Sequence, residues 1–330
     1  MGNLSVVELH LPPDDFLPNE PEGAAFHKAF LSADIADFEC RYLAIYRNGL
    51  RVAVAPYFMG NFSLGELLPD GLLKKTVSWI KLRYACVGHP STDSGMIDGE
   101  VSTDVLALVN ATLAKKAALV AYKGFPDNLP LKGYSRARGF PVAVLALSGD
   151  YYSALDARRR NDFKHKISNA QMLRIEASSA LPEQLVAPVF QLYMNTYNHA
   201  PLKFERLTAD YFRATVALSK FLLFFESDVL IGFVQIIGKN DKAVLKYMGM
   251  DYLHNRQYGL YYVICLKAIE VCLHDGYRRL ELGVTSYHFK QLLGCKLLET
   301  TVYFRHNNRF VDWLLGRCKF LIEPTADELR

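Results

Sequence analysis

The stretch Ala243–Gly283, AVLKYMGMDYLHNRQYGLYYVICLKAIEVCLHDGYRRLELG, decides the fold. Its first seven residues are almost wholly apolar and end in glycine, which is a buried-strand signal. Tyr258 to His274 then carries apolar residues at helical spacing, and Arg279-Leu-Glu-Leu-Gly283 returns to strand character. A strand, a helix and a second strand in so short a span predict one unit of an α/β lobe.

The same order occurs earlier in the chain. Leu82 to Gly88 reads as a strand, Thr103 to Ala117 as a helix, and Ala118 to Gly124 as the next strand. The closing glycines are 36 residues apart in this first copy (88 to 124) and 34 apart in the second (249 to 283). A hairpin precedes each copy: Tyr42–Tyr46 and Val52–Ala55 flank Asn48-Gly49, and Leu222–Phe225 and Leu230–Gln235 flank Ser227-Asp228. The pattern predicts a duplicated hairpin, strand, helix, strand unit. From hairpin to strand the intervals are 39 residues (49 to 88) and 21 residues (228 to 249), which points to an insertion over Leu64 to Lys81 in the first copy.

Polar Ser148-Gly149-Asp150 follows the strand-like Val142–Leu147, so the boundary falls there: one lobe over 1–150, another over 151–330. After it come a basic helix carrying Arg158, Arg159, Arg160, Lys164 and Lys166, then helices over Leu185–Asn198 and Thr208–Leu218, the latter capped by Thr208. Thr301–Phe304 reads as a further strand and Arg309–Cys318 as a last helix, with a polar tail from Pro324 expected to fray.

Composition agrees with two packed lobes. The 330 residues are 51% hydrophobic and 22% charged, and the net charge of +4 is too mild to signal nucleic acid by itself. No apolar run reaches the roughly 18 residues that span a bilayer, and the first residues lack a secretory pattern. The six cysteines form no CxxC pair, so reduced, mostly buried thiols in a cytoplasmic protein are expected. No His/Cys/carboxylate spacing fits a metal, and none is expected.

The chemistry concentrates in the second copy. Arg256 and Gly259, in Asn255-Arg-Gln-Tyr-Gly-Leu-Tyr261, match the first four positions of R/Q-x-x-G-x-G/A, with Tyr261 where a small residue is usual. Together with Tyr247-Met248-Gly249, Glu281-Leu-Gly283, Phe289-Lys290 and Gly294, this resembles the tandem GNAT proteins of the Fem peptidyltransferase and BioF2-like acyltransferase group. The resemblance implies an α/β (α+β) fold of two GNAT-like lobes, each a mixed, mostly antiparallel sheet flanked by helices. It also implies an N-acyltransferase with the donor on the C-terminal lobe and a degenerate N-terminal lobe on the acceptor side.

By that resemblance Met248, Gly249, Arg256 and Gly259 meet the donor, Phe289 stacks on it, and Lys290 pairs with its phosphate. The donor would be acyl-CoA or an acyl carrier protein, the acceptor a small-molecule amine, and nothing would be permanently bound. An aminoacyl-tRNA-dependent Fem-like transfer is the alternative, motivated by Phe289-Lys290 and the basic helix. A non-catalytic binding module is the second, motivated by Tyr261.

Acyl transfer needs main-chain N–H groups for the oxyanion, a base for the incoming ammonium and an acid for the leaving group. Asp251, His254, Glu281 and His288 are candidate bases; Tyr247, Tyr261 and Tyr287 are candidate acids. Tyr247, Glu281, His254 and Lys290 are the catalytic candidates, with His89, Asp93, Asp251 and Tyr287 as acceptor contacts. Gly88-His-Pro-Ser-Thr-Asp-Ser-Gly95 replaces the arginine-glycine turn in the first copy, and Pro90 blocks an early helix there.

Overall fold

A computed structural model of the chain describes residues 3–36, 38–63, 81–200, 202, 203 and 205–329. The insertion expected at Leu64 to Lys81 falls outside them except at Lys81. The first half runs β1 (Leu4–Leu9), α1 (Ala24–Ser32), β2 (Glu39–Arg47), β3 (Leu50–Ser63), β4 (Lys81–Val87), β5 (Asp98–Gly99), α2 (Thr103–Leu113), β6 (Leu119–Phe125), β7 (Ser135–Arg138) and β8 (Val142–Ala146). The second runs α3 (Ala157–Asn169), β9 (Arg174–Ser178), α4 (Glu183–His199), α5 (Ala209–Thr215), β10 (Ser219–Glu226), β11 (Val229–Lys239), β12 (Lys242–Met250), α6 (Tyr252–Tyr258), α7 (Leu260–His274), β13 (Arg279–Glu281), α8 (Tyr287–Leu292), β14 (Lys296–Leu298), β15 (Thr301–His306) and α9 (Arg309–Arg317).

Both hairpins form where expected. Asn48 and Gly49 take φ of 51° and 84°, the positive values that a two-residue turn between right-twisted strands requires, and Ser227 takes 53° in the second turn. One sheet has the order β1-β2-β3-β4-β6-β15-β7, with β5 beside β3; the other is β9-β10-β11-β12-β13-β8-β14. Position by position the two sheets correspond. Each is antiparallel except for one parallel pair, β4 with β6 and β12 with β13, bridged by α2 and α7. The predicted duplication is thus visible as matching strand order, and the α/β lobes with mixed sheets are as expected.

Strand exchange joins the copies. β15, from the end of the chain, sits between β6 and β7 of the first sheet. β8 lies before residue 150 but pairs with β13 and β14 in the second sheet. The division at 150 therefore separates chain segments, whereas each sheet is completed by a strand from the other side. Tyr303 of β15 is fully buried; its hydroxyl donates to the Pro126 carbonyl at 2.8 Å and accepts from the Leu129 N–H at 3.2 Å.

α2 covers the first sheet with Leu106, Val109 and Leu113, and α7 covers the second with Val263, Ile264 and Ile269. A third core lies between the lobes. There Phe26 and Phe30 of α1, Tyr211 and Phe212 of α5, and Leu192 of α4 meet side chains of both sheets, Cys40 and Phe58 on one and Phe221 and Phe233 on the other. Gly249 permits part of this, because a Cβ there would stand 2.4 Å from the Leu192 carbonyl carbon, so α4 lies directly on β12.

The tail departs from expectation. Pro324 is buried, its carbonyl accepts from Arg138 at 3.4 Å, and the Arg138 N–H donates to Glu323 at 3.1 Å; the tail is pinned to β7 rather than frayed there. The six cysteines are free, five of them buried. Among the described residues no helix is long and apolar enough to cross a membrane.

Because each sheet lacks an inner strand without the other half, fragments 1–150 and 151–330 should each fail to unfold cooperatively when made separately. Co-expression should restore a single transition by circular dichroism. A sharp melt of either fragment alone would contradict the exchanged-strand arrangement.

Candidate active site

The parallel pair β12–β13 is short. Lys242, Ala243 and Val244 oppose Arg279, Leu280 and Glu281, and there the ladder stops. Two features part the strands. Gln235 opposes Tyr247 and Ile236 opposes Leu245, so Lys246 is the extra residue of a β-bulge, which bends and twists β12. On the other side the chain after Glu281 turns to β8: the Leu282 N–H donates to Ala143 at 2.9 Å and the Ala143 N–H to Gly283 at 3.1 Å. Among the described residues no strand pairs with β12 beyond Val244 on that edge.

The first lobe supplies the facing wall. Lys246 Nζ donates to the Glu22 carboxylate and to the Ser91 carbonyl. This pair is buried, with side chains 4% and 7% exposed. Burial works against the Lys246 charge, yet Glu22, Asp93 and Glu205 together hold its pKa above the ordinary lysine value, so it stays an ammonium. The hydroxyls of Ser91 and Tyr247 are 2.7 Å apart, and Tyr247 donates to Glu205.

Tyr247 is held from behind. Tyr193 and Tyr211 meet its ring edge-on at 5.7 and 5.3 Å. Tyr211 in turn donates to Gln235 Oε1 at 3.3 Å, and the Gln235 amide donates to Thr215 and Ser219 at 2.9 and 2.8 Å. Gln235 is wholly buried and both ends of its amide are satisfied, so the network is a rigid backing.

Asp93 is the charge common to the cleft. A Cβ on Gly283, which has φ of +73°, would stand 3.0 Å from Asp93 Oδ2. The Asp93 charge acts on Glu22, Lys246, Glu281, Tyr287 and Lys290. Burial raises the pKa of Glu281; its neighbour Arg279, bonded at 2.8 Å, pulls the other way, and Asp93 and Glu20 add to the rise. Tyr287 is fully buried, which pushes its hydroxyl up.

Lys290 is buried on α8 and donates to the Val284 carbonyl at 2.7 Å. Desolvation pulls its pKa down to about 8, against the smaller upward pull of Asp93. Phe289 beside it packs on Tyr261 and Tyr262 at 4.6 and 4.5 Å. Tyr261, out of place in the sequence pattern, thus forms an aromatic cluster at the start of α7.

The sequence candidates therefore divide. Glu281, Lys290 and Tyr287 are linked by the Asp93 charge, Tyr247 follows Lys246, on which that charge also acts, and His89 stands beside Ser91. His89 is buried 4.2 Å from the His27 ring and accepts the Ser91 N–H on Nδ1 at 3.3 Å, so Nε2 carries its proton; burial and the neighbouring cations hold it neutral. Met248 packs on the second-lobe core and Gly249 under α4.

His254 and Asp251 belong to a different group. Asp251 caps α6 by accepting from Leu253 and His254 N–H at 2.8 and 3.3 Å, and His254 reaches Glu226 at 2.9 Å. No hydrogen bond, ion pair or ring contact among the described residues joins them to the cleft. Their neighbour Arg256 is exposed in the last turn of α6, a helix that precedes the one the sequence begins at Tyr258.

Gly259 takes the left-handed conformation between α6 and α7, with φ of 62°. Asn255 Oδ1 accepts the Tyr261 N–H at 2.8 Å, and the Gly259 carbonyl accepts those of Tyr262 and Val263 at 2.9 and 3.2 Å. The turn's amides are largely satisfied from within.

Sequence reading missed Lys246, Glu22 and Glu205 as site residues. One signal was present: a lysine inside the apolar strand AVLKYM must be paired if buried. Nothing local named its partner, 224 residues away.

Lys246→Met should destabilise the protein by about 3 to 5 kcal/mol by stranding the Glu22 charge, whereas Glu22→Gln with Lys246→Met should recover most of the loss in urea melts. Lys290→Met should instead stabilise by about 1 to 3 kcal/mol at pH 7, because it removes a disfavoured buried ammonium. With a folded pKa near 8, below the unfolded value, wild-type stability should rise with pH above about 8, and the variant should lose that rise.

The sequence matches no family model and no curated protein. Solved structures do resemble the fold. FemX superposes with a TM-score of 0.57 at 12% identity, covering 94% of this chain and 100% of its own. A tandem GNAT protein from the clavulanic acid biosynthesis pathway gives 0.53 at 13% identity, covering 93% and 99%. L-PGS from Bacillus licheniformis gives 0.54 at 10% identity, covering 83% and 87%. At such identities the likeness speaks for architecture, and the chain has the tandem GNAT fold that its motifs led one to expect.

Proposed function

We propose that the chain is an N-acyltransferase acting in the cleft between its lobes. The parting of β12 from β13 beyond Val244 and Glu281 carries this reading, because it frees one main-chain edge of β12 beside ionisable groups from both lobes. In the reaction, the amine nitrogen attacks the acyl carbonyl carbon. The carbonyl oxygen becomes an oxyanion, which N–H groups of the freed edge of β12 receive. The C–S or C–O bond to the carrier then breaks.

Glu281, its pKa raised by burial, takes the first proton from the acceptor ammonium; Lys290 as ammonium gives one to the leaving group and, left neutral, takes the second proton from the nitrogen as the amide forms. Asp93 contacts the acceptor, fully buried Tyr287 packs beneath the site, and Tyr247 on its rigid backing fixes the bend of β12. The acceptor is a small-molecule amine.

The donor is an acyl-CoA or an acyl group on a larger carrier. One observation favours the carrier, either an acyl carrier protein or an aminoacyl-tRNA. The first turn of α7 has spent its amides, whereas the basic helix α3 lies alongside, with Lys166 4.2 Å over the Tyr262 ring and Arg158 and Lys164 exposed. A cationic helix beside the aromatic cluster suits a polyanion.

Incubation with acyl-CoA, acyl carrier protein and charged tRNA, read by mass spectrometry of an amine panel, tests the reading. Lys290→Ala should abolish turnover while sparing the fold, and turnover should fall as pH rises through about 8 as the Lys290 proton is lost. Unchanged activity in Lys290→Ala would remove it from the mechanism. Absence of turnover with every donor would leave a binding module.

A further inference from the structure

We propose that α9 and the turn after it form a docking surface for an anionic lipid bilayer. Phe310, Trp313, Leu314 and Arg317 follow i, i+3, i+4, i+7 spacing, so they share one helical face. That face points to solvent: Phe310 is 69% exposed, Trp313 56%, and Phe320 in the next turn 64%. Surface helices ordinarily turn their apolar stripe inward. This one has already done so with Leu315, which packs on Leu119, Ala137 and Phe304. The outer stripe is a second one, and it has no role in the fold.

It is also ordered. The Phe310 and Trp313 rings stack at 6.1 Å, and the Arg317 guanidinium lies 5.6 Å from the Trp313 ring centre. Asn308 caps the helix, accepting from the Phe310 and Val311 N–H at 3.0 and 3.1 Å.

Charge identifies the occupant. Arg309, Arg317 and Lys319 flank the aromatic face, and Lys319 donates to the Arg136 carbonyl on β7. Two carboxylates lie nearby: Asp312 accepts the His306 N–H at 2.8 Å, and Glu323 accepts the Arg138 N–H at 3.1 Å and stands 3.9 Å from Lys319, which leaves Arg309 and Arg317 as the cations carrying the surface. Beside the foot of α9, Lys132, Arg305 and Arg309, against the one carboxylate of Asp312, line a cavity of about 510 Å³ that also meets Leu106 and Val120, with room for a phosphate headgroup. A second copy on the same face would set these cations against their own images. Anionic headgroups would neutralise them, while the aromatic rings enter the interfacial layer by roughly 5 to 10 Å. This surface is independent of the acyl-transfer reading.

Cosedimentation with phosphatidylglycerol/phosphatidylcholine vesicles, against pure phosphatidylcholine, tests it. Binding should require the anionic lipid, weaken with salt, and fall on the order of tenfold in Phe310→Ser/Trp313→Ser, whose solvent-facing changes leave circular dichroism unaltered. The chain has two tryptophans, so in Trp79→Phe the emission of Trp313 should shift to the blue on vesicles. Failure to bind anionic vesicles, or binding indifferent to the double variant, overturns the proposal. Lipid-free dimerisation lost in the double variant would assign the face to a second copy and overturn it too.

Discussion

Reciprocal exchange of β8 and β15 is the constraint from which the rest of the molecule follows. A strand inside a sheet needs partners on both edges, or its N–H and C=O groups lose their hydrogen bonds. Each sheet here obtains an inner strand from the opposite half of the chain, so neither is satisfied alone. The lobes are thereby held in one relation, and the third core of Phe26, Phe30, Tyr211 and Phe212 fills the space between them. A cleft bounded by both lobes can then be as rigid as one cut into a single sheet.

That rigidity lets the cleft hold charges that would otherwise be unaffordable. Lys246 at the bulge is kept ionised by carboxylates from Glu22 and Glu205, which lie far apart in the chain. Lys290, with no ion pair among the described residues and bonded to a carbonyl, is pulled toward neutrality instead. Two lysines in one site thus occupy opposite electrostatic situations, one fixed and one poised, and the difference comes from the partner each meets, a carboxylate or a carbonyl. The bulge does two jobs: it parts β12 from β13, and it aims Lys246 at the first lobe to anchor the parting.

Much of the architecture was legible because it is written in local signals. Asn48-Gly49 fixes a turn through its backbone preference, and the glycines closing Leu82–Gly88 and Ala243–Gly249 mark strand ends at matching intervals. Strand exchange was not legible, since Val142–Leu147 and Thr301–Phe304 look the same as strands whichever sheet receives them. In the cleft, Tyr247, Glu281 and Lys290 stood on a recognisable pattern, whereas the Glu22–Lys246 contact depends only on tertiary packing. His254 and Asp251 drew notice by residue type, and α6 uses them as a cap and its neighbour. Helix α6 itself was masked by the glycine-bearing motif, whose Gly259 ends one helix and begins another.

Exchanged strands also bear on how the chain reaches its native state. β6 is made early, yet the strand that belongs beside it, β15, emerges from the ribosome only near the end of this sequence. Until then the first sheet presents an unpaired edge at β6, flanked by the apolar surface of Tyr122 and Val120. Such distant pairing raises contact order and slows folding. The early half must wait, partly formed and open to wrong partners, so this duplication trades the quick, independent folding of two small domains for a late, collective closure.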